Sequence, residues 1–439
     1  MDLFEERIHL VPVLRRRLVQ VPLGIDQPYW VDDENFDLEY HVRELALPRP
    51  GSDAQLAAQV ARIHARPLDR ARPLWETYLI RGLARKRVAV YTKIHHAAFD
   101  GVAGADILTV LADLDPAGRS IPLPARFVPE PAPSGLSVAA ATLARLVARP
   151  LGAARLAAEA VRVMPALAPG IRPVVDGVGR LTTREGPADG GLLASRSFKP
   201  PTTPLNTRIS AHRKCSFVTL PLDDVRFVKR TFGVSVNDVV MAVCAGAVRR
   251  WLLRRNALPS VPLVAMVPVS LRADSHGGQG NKVSAMLAVL PTNVADPVDR
   301  LAQAHEDTQI AKQQHAFIPQ GLVDGATDFA PPAFTQRAAR VIFGTHILTR
   351  LPAFNLVISN VPGPNVPVYL AGAKLLAHYP LSIVSDGMAL NITLIGYLGG
   401  LHFGLVAARE AVPDVDDLGS WLAEELALLV KAAKSVAPD

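Results

Sequence analysis

The sequence predicts an α/β protein of the α+β kind, folded as two domains. Strand-like apolar runs interleave with helix-like amphipathic segments in both halves of the chain. Between about residues 123 and 206 the composition shifts to proline-, alanine- and arginine-rich sequence that suits a connector. No repeat of fixed period relates one stretch to another. The 439 residues, 49% hydrophobic and 20% charged, are enough to build a core of good size. The expected plan is a domain over 1–125, a helical connector over 126–206 and a second domain over 207–439.

Taken in order, residues 2–19 read as a helix ending in the basic run Arg15-Arg16-Arg17. Asp53 to Ala65 is amphipathic at helical spacing, and Trp75 to Gly82 reads as a short strand. Residues 88–96 follow as a buried strand, and Gly101 to Leu114 as a helix with Val102, Ile107, Leu108 and Leu111 on its apolar side. The connector opens on Pro122, Pro124, Pro129, Pro131 and Pro133 and closes on Pro200-Pro201-Thr202-Thr203-Pro204. Its central helix, Leu136 to Val163, carries arginines amid alanine and leucine; packing on its own domain is expected over resting on a membrane surface. From Cys215 a strand to Leu220 leads into a helix at Leu222 to Thr231, and Ser235-Val236-Asn237-Asp238 opens a long helix to about Arg254. Strands are expected at 261–269, 283–290, 354–359, 388–395 and 401–407.

The net charge of +7 is dispersed, aromatics are 6%, and no DNA- or RNA-binding signature occurs, so no nucleic-acid partner is expected. Cys215 and Cys244 are the only cysteines and lack Cys-x-x-Cys spacing, which predicts two buried, inert thiols. The N-terminus has no signal-peptide core, and the long uncharged stretches are broken by Pro, Gly or Asn. A cytoplasmic protein is expected, with any contact at a membrane or lipid droplet peripheral.

The chemistry centres on His95-His96-Ala97-Ala98-Phe99-Asp100-Gly101, directly after the apolar run Val88 to Ile94. Strand alternation puts His96 on the face of Val90, Thr92 and Ile94, and His95 with Tyr91 and Lys93. The two imidazoles are therefore expected to do different jobs. A neutral histidine titrating near working pH is the usual general base, and His96 would take the proton of an acceptor hydroxyl attacking an activated acyl carbonyl. Asp100 would either pair with an arginine or cap the helix near Val102, and Gly101 frees the backbone at the corner. Adjacent histidines are not the i, i+4 pair of a metal helix and no third ligand is obvious, so no metal is expected. Two packing histidines would leave the Asp-Gly offset after a strand unexplained. There is no Gly-x-Ser-x-Gly elbow and no phosphate loop; Gly277-Gly278-Gln279-Gly280-Asn281 reads as a turn.

Four further segments accompany that heptapeptide: Pro67 to Glu76, containing Pro73-Leu74-Trp75; Val236-Asn237-Asp238-Val239; Ser359-Asn360-Val361-Pro362-Gly363-Pro364; and Asp386 to Ile392, read Asp-Gly-Met-Ala-Leu-Asn-Ile. With them the chain resembles the bacterial wax ester synthase/diacylglycerol acyltransferase family, of actinobacterial type. That family sits in the His-His-x-x-x-Asp-Gly superfamily with chloramphenicol acetyltransferase and peptide-synthetase condensation domains. The resemblance implies two chloramphenicol-acetyltransferase-like sandwich domains with a tunnel between them. It implies His96 as base, His95 as support and Asp100 as structural. Acyl-CoA would enter from one side and diacylglycerol or a long-chain alcohol from the other, with no cofactor beyond the CoA substrate. Pro73, Leu74 and Trp75, like Asn360, Pro362 and Gly363, are expected to be architectural. Asn237-Asp238 suits a helix N-cap, with a place for Asn237 near the tunnel as the alternative.

The expected activity is O-acyl transfer of a long-chain fatty group from acyl-CoA to diacylglycerol, giving triacylglycerol, and to long-chain alcohols, giving wax esters. One rival is a condensation-like enzyme using a carrier-bound thioester; no carrier domain accompanies the motifs. The other is a truncated, inactive homologue that binds lipid or coats a droplet. The chain departs from the resembled family in two ways. It begins at the helix-like segment without the family's further strand and loop, implying a start assigned downstream or a sheet short of an edge element. Gly396 and Ala408 stand where that family commonly has Ser and Asp.

Overall fold

The computed structural model describes residues 1–21, 28–98, 110–122, 128–130, 144, 200–270, 283–316, 349 and 352–436. Its opening segment is not one helix. Helix α1 (Asp2–Arg7) passes into 3-10 turns at Ile8–Leu10 and Pro12–Arg15, and strand β1 (Arg16–Val19) follows. Pro12 brings no amide hydrogen and cannot continue a helix, so the expectation of a helix over 2–19 fails there. The basic run enters β1 instead, which pairs antiparallel with β2 (Tyr29–Asp32), and Arg16 meets Asp32 at 3.1 Å. α1 is fastened inward: Arg7, 3% exposed, pairs with Asp113 at 2.8 Å and donates to the Leu111 carbonyl. A buried guanidinium requires such partners.

Helix α2 (Leu38–His41), capped by Asp37, runs into β3 (Val42–Ala46). Helix α3 (Asp53–His64) begins at a capping box, with Ser52 and Gln55 each bonding the other's backbone amide. β4 (Trp75–Arg81) and β5 (Ala89–Ile94) complete a three-stranded sheet ordered β3-β4-β5, parallel then antiparallel. β5 is its edge strand. Val90 is 48% exposed, and only the Ala89, Tyr91 side is covered, by α3. The expected buried strand over 88–96 is thus shorter and half-exposed.

The C-terminal sheet is longer and buried on both faces. β6 (Arg213–Pro221), β7 (Leu263–Ser270), β8 (Val283–Leu290), β9 (Leu356–Val361), β12 (Leu390–Tyr397) and β13 (Gly400–Ala408) stand in the order β6-β13-β12-β9-β7-β8. A small ribbon, β10 (Tyr369–Leu370) with β11 (Ala373–Lys374), lies apart and bonds Asp113 through Tyr369. On one face Leu390, Ile392, Leu394, Phe403 and Leu405 pack under α4 (Leu222–Phe232), α5 (Val236–Arg254), α6 (Pro297–Ala316) and α7 (Val415–Val436). On the other face Cys215, Phe217 and Val406 meet Val60, Ile63 and Tyr78, so α3 is packed between the two sheets. Both cysteines are buried and burial pushes each thiol up to about 12, which makes them inert.

The helical layer is locked by a buried ion pair. Glu425 of α7 takes Arg300 of α6 and Arg250 of α5, and Gly246 gives them room, since a Cβ there would stand 2.2 Å from Glu425 Oε2. Among the described residues no single helix is long and apolar enough to cross a membrane. Of the expected helix over Gly101 to Leu114, the described end shows Val110 and Leu111 helical and Asp113 already bridged to Tyr369, so the helix stops short of Leu114. The helix over Leu136 to Val163 lies outside the described residues but for residue 144, and the glycine run at 277–281 lies wholly outside them.

Candidate active site

Trp75 opens β4 and pairs with Ile94, which closes β5. The ladder continues one step further: the His95 amide donates to the Leu74 carbonyl at 3.0 Å. Alternation stops there. A 3-10 turn, His96–Ala98, follows at once, with the Ala98 amide bonding the His95 carbonyl at 2.9 Å. The His95 ring folds back on this turn, where Nδ1 accepts from the Ala97 amide at 3.1 Å. Burial, Arg70 and His96 all lower the His95 pKa, so the ring is neutral with its proton on Nε2. His96 is exposed, and its imidazole bonds no described residue. Both residues are exposed; what separates the rings is that His95 Nδ1 is taken by the Ala97 amide. Asp100 and Gly101 lie outside the described residues.

The Pro73-Leu74-Trp75 segment is buried throughout. Trp75 is 1% exposed and donates from Nε1 to the Leu14 carbonyl at 2.8 Å. Its ring stacks on Phe4 and on His41, and His41 in turn stacks on Phe36. His41 Nδ1 meets the Trp75 carbonyl at 2.7 Å; burial lowers the His41 pKa and keeps the ring neutral, so Nδ1–H is the donor. Leu74 thus reaches His95 from a segment fixed on both sides. The sequence reading did not single out His41, because α2 is one turn long and carries no periodic signal.

The other segments lie in or beside the six-stranded sheet. Asn360 and Val361 end β9, with Asn360 exposed, and Leu394 of β12 is the register partner of Asn360. Pro362 is exposed, whereas Gly363 is pressed against β12: a Cβ would stand 2.0 Å from the Gly396 carbonyl oxygen. Gly396 itself has room for a side chain, its nearest obstacle being Leu401 at 3.8 Å. Tyr397 clasps the following loop, accepting from the Val368 amide at 3.2 Å and donating to the Leu375 carbonyl at 3.0 Å. Asp386 accepts from the Ile209 amide at 2.9 Å, and Asn206 joins the Gly387 carbonyl to Asn355, just before β9.

The N-cap of α5 is Ser235, not Asn237 or Asp238 as the sequence suggested. Asp238, wholly buried, sits at the third helical position, returns the bond to the Ser235 amide and receives His305 Nδ1 at 2.7 Å. The valine-led helix start places the carboxylate where a capping box needs it. Asn237 is half-buried one residue earlier.

The chain is similar over nearly its whole length to proteins of one family. Residues 1–240 match the family model for the wax ester synthase/diacylglycerol acyltransferase catalytic domain, and residues 279–430 match the C-terminal domain of the same family. The chain is 35% identical over 431 residues to a Mycobacterium tuberculosis protein provisionally named a diacylglycerol O-acyltransferase, covering 98% of this chain and 82% of that one. It is 36% identical over 408 residues to the O-acyltransferase WSD of Acinetobacter baylyi, covering 91% and 82%. The structure superposes on a wax ester synthase/diacylglycerol acyltransferase from Marinobacter aquaeolei VT8 with a TM-score of 0.68 and 30% identity, over 96% of this chain and 86% of the other. The first condensation domain of the calcium-dependent antibiotic synthetase shares the fold, with a TM-score of 0.52 at 16% identity over 97% and 87%.

Proposed function

The chain belongs to the wax ester synthase/diacylglycerol acyltransferase family and is an acyltransferase, and from that premise we propose its substrates and its base. It transfers a long-chain fatty acyl group from acyl-CoA to the hydroxyl of diacylglycerol, and to long-chain alcohols. His96 is the general base. The observation that supports this is the contrast between the two rings. Both histidines are exposed, but His95 Nδ1 is committed to its own turn, whereas the His96 imidazole bonds no described residue.

The acceptor oxygen attacks the thioester carbonyl as its proton passes to His96. A C–O bond forms and the carbonyl oxygen takes the developing charge. Collapse of that intermediate breaks the C–S bond, and the imidazolium returns the proton to the departing CoA sulfur. The products are an ester and free CoA, and His96 is neutral again. The thioester is already activated, so positioning and proton transfer suffice without a covalent acyl-enzyme.

The test is CoA release from palmitoyl-CoA with diacylglycerol, with hexadecanol and without acceptor, with the ester identified by mass. Acceptor-dependent ester formation establishes the transfer and ranks the two acceptors. A folded protein that binds lipid but turns over neither acceptor refutes the reading.

A further inference from the structure

Strand β5 is held from its covered face as well as at its end. Lys93 Nζ donates to the carbonyls of Ile63 and Arg66, at the C-terminus of α3, where a cation is favoured. Two residues earlier, the Tyr91 hydroxyl meets His64 Nδ1 at 2.9 Å. Burial holds the Tyr91 phenol well above its ordinary pKa, and burial with Lys93 pushes His64 down to about 4. The phenol is therefore the donor and Nδ1 the acceptor. That leaves the ring proton on Nε2, and the nearby Ser382 backbone acts on the ring against the lowering.

Ser382 belongs to the segment that crosses the face of the six-stranded sheet turned toward α3. Its neighbour Pro380 lies so close to β13 that a Cβ on Gly404 would stand 2.0 Å from the Pro380 oxygen. The Ser382 hydroxyl bonds Thr393 at 3.1 Å, and Thr393 donates to Asn391 Oδ1 at 2.8 Å, both residues of β12 and each 3% exposed. The Tyr91–His64 bond thus ties the strand that ends in His95 and His96 to α3, and α3 lies against the six-stranded sheet. Apolar packing around Val60 and Ile63 also joins the two sheets, but it is non-directional and tolerates sliding. The bonds from Tyr91 to His64 and from Lys93 to the end of α3 are directional and hold β5 in one register on that helix.

We propose that His64 and Tyr91 are positioning residues for acyl transfer, fixing the His95–His96 turn relative to the six-stranded sheet. The proposal rests on His96 being the base. A base must sit within hydrogen-bond reach of the hydroxyl it deprotonates, and a shift of about 1 Å can cost on the order of 100-fold in rate. Loss of the clasp is then felt in turnover, with acyl-CoA binding intact.

Steady-state kinetics of Tyr91→Phe, His64→Gln and His64→Ala test this in a protein whose wild type shows acceptor-dependent transfer. A wild type without transfer refutes the proposed function instead. Tyr91→Phe removes one oxygen and keeps the ring, so it decides even if His64→Ala fails to fold. The expected result is a kcat lowered roughly threefold or more, with the KM for acyl-CoA within about twofold. His64→Gln has no acceptor on Cγ, where Nδ1 meets the Tyr91 hydroxyl, and should match Tyr91→Phe. A kcat lowered less than about threefold in folded Tyr91→Phe, or a loss carried by KM, overturns the proposal.

Discussion

The amide of His95 and the carbonyl of Leu74 lie 3.0 Å apart and form the last rung of the β4–β5 ladder. That rung sets the place where strand geometry ends and the His96 turn begins. It also links two segments that stand about 20 residues apart in the sequence, the buried Pro73-Leu74-Trp75 and the histidine pair. Trp75, held by Leu14, Phe4 and His41, keeps Leu74 from moving. The apolar segment therefore acts on the chemistry through one backbone bond.

His95 serves through Nδ1, an acceptor for the Ala97 amide. Asparagine presents an oxygen on the same carbon and can keep that bond. His95→Asn should retain kcat within about threefold, whereas His95→Ala should lose about tenfold, since the turn is then free to drift. Kinetics with palmitoyl-CoA check both.

Gly363 passes the Gly396 carbonyl too closely for any Cβ. Gly363→Ala must push β9's exit from β12 and should lower unfolding stability by about 1–3 kcal/mol. Urea denaturation measures it. A serine at Gly396, by contrast, puts its Cβ in ordinary contact with Leu401 at 3.8 Å and should be nearly neutral.

Gly246 gives a prediction opposite to helix propensity. Alanine in a helix interior normally gains about 1 kcal/mol over glycine. Here its methyl would displace Glu425 from Arg300, leaving charges buried and apart. Gly246→Ala should therefore cost about 1–3 kcal/mol, read from the urea midpoint.

His64 sets a pH dependence of stability. Its pKa falls from 6.5 to about 4 on folding, chiefly by burial, with the cations Lys93 and Arg213 acting in the same direction and Tyr91 facing it as a neutral donor. The unfolded chain binds this proton below about pH 6.5 and the folded one does not, so stability is full above that value and declines toward pH 4. His41, His378 and His402, all lowered first by burial, add to the same slope. The urea midpoint should be lower at about pH 5 than at about pH 7.5, and His64→Gln should flatten the difference.

Much of the fold was legible where a local signal is complete. α3 carries apolar spacing and a Ser-x-x-Gln box, and α5 follows Ser235 with an acid three residues on. β12 and β13, buried on both faces, read as apolar runs and were placed within two residues of their ends. Residues 2–19 misled because Leu3, Phe4, Ile8 and Leu14 mimic a helical stripe that Pro12 breaks, and β1 depends on a partner further along the chain. At the site, the histidine pair at the end of a strand could be read from the sequence, but the alternation expected to part the two rings ends at His95, where the chain enters a 3-10 turn. The rung to Leu74, the bond from His64 to Tyr91 and the fit of Gly246 beneath Glu425 could not be read, because each is a contact between segments whose register only the folded chain defines.

The most direct test of the account is ester formation from palmitoyl-CoA and diacylglycerol by wild type and His96→Ala, each verified as folded. The account predicts acceptor-dependent product and CoA release in the wild type, and a fall of at least about 100-fold in kcat for His96→Ala. A folded His96→Ala protein that makes ester at the wild-type rate would contradict it.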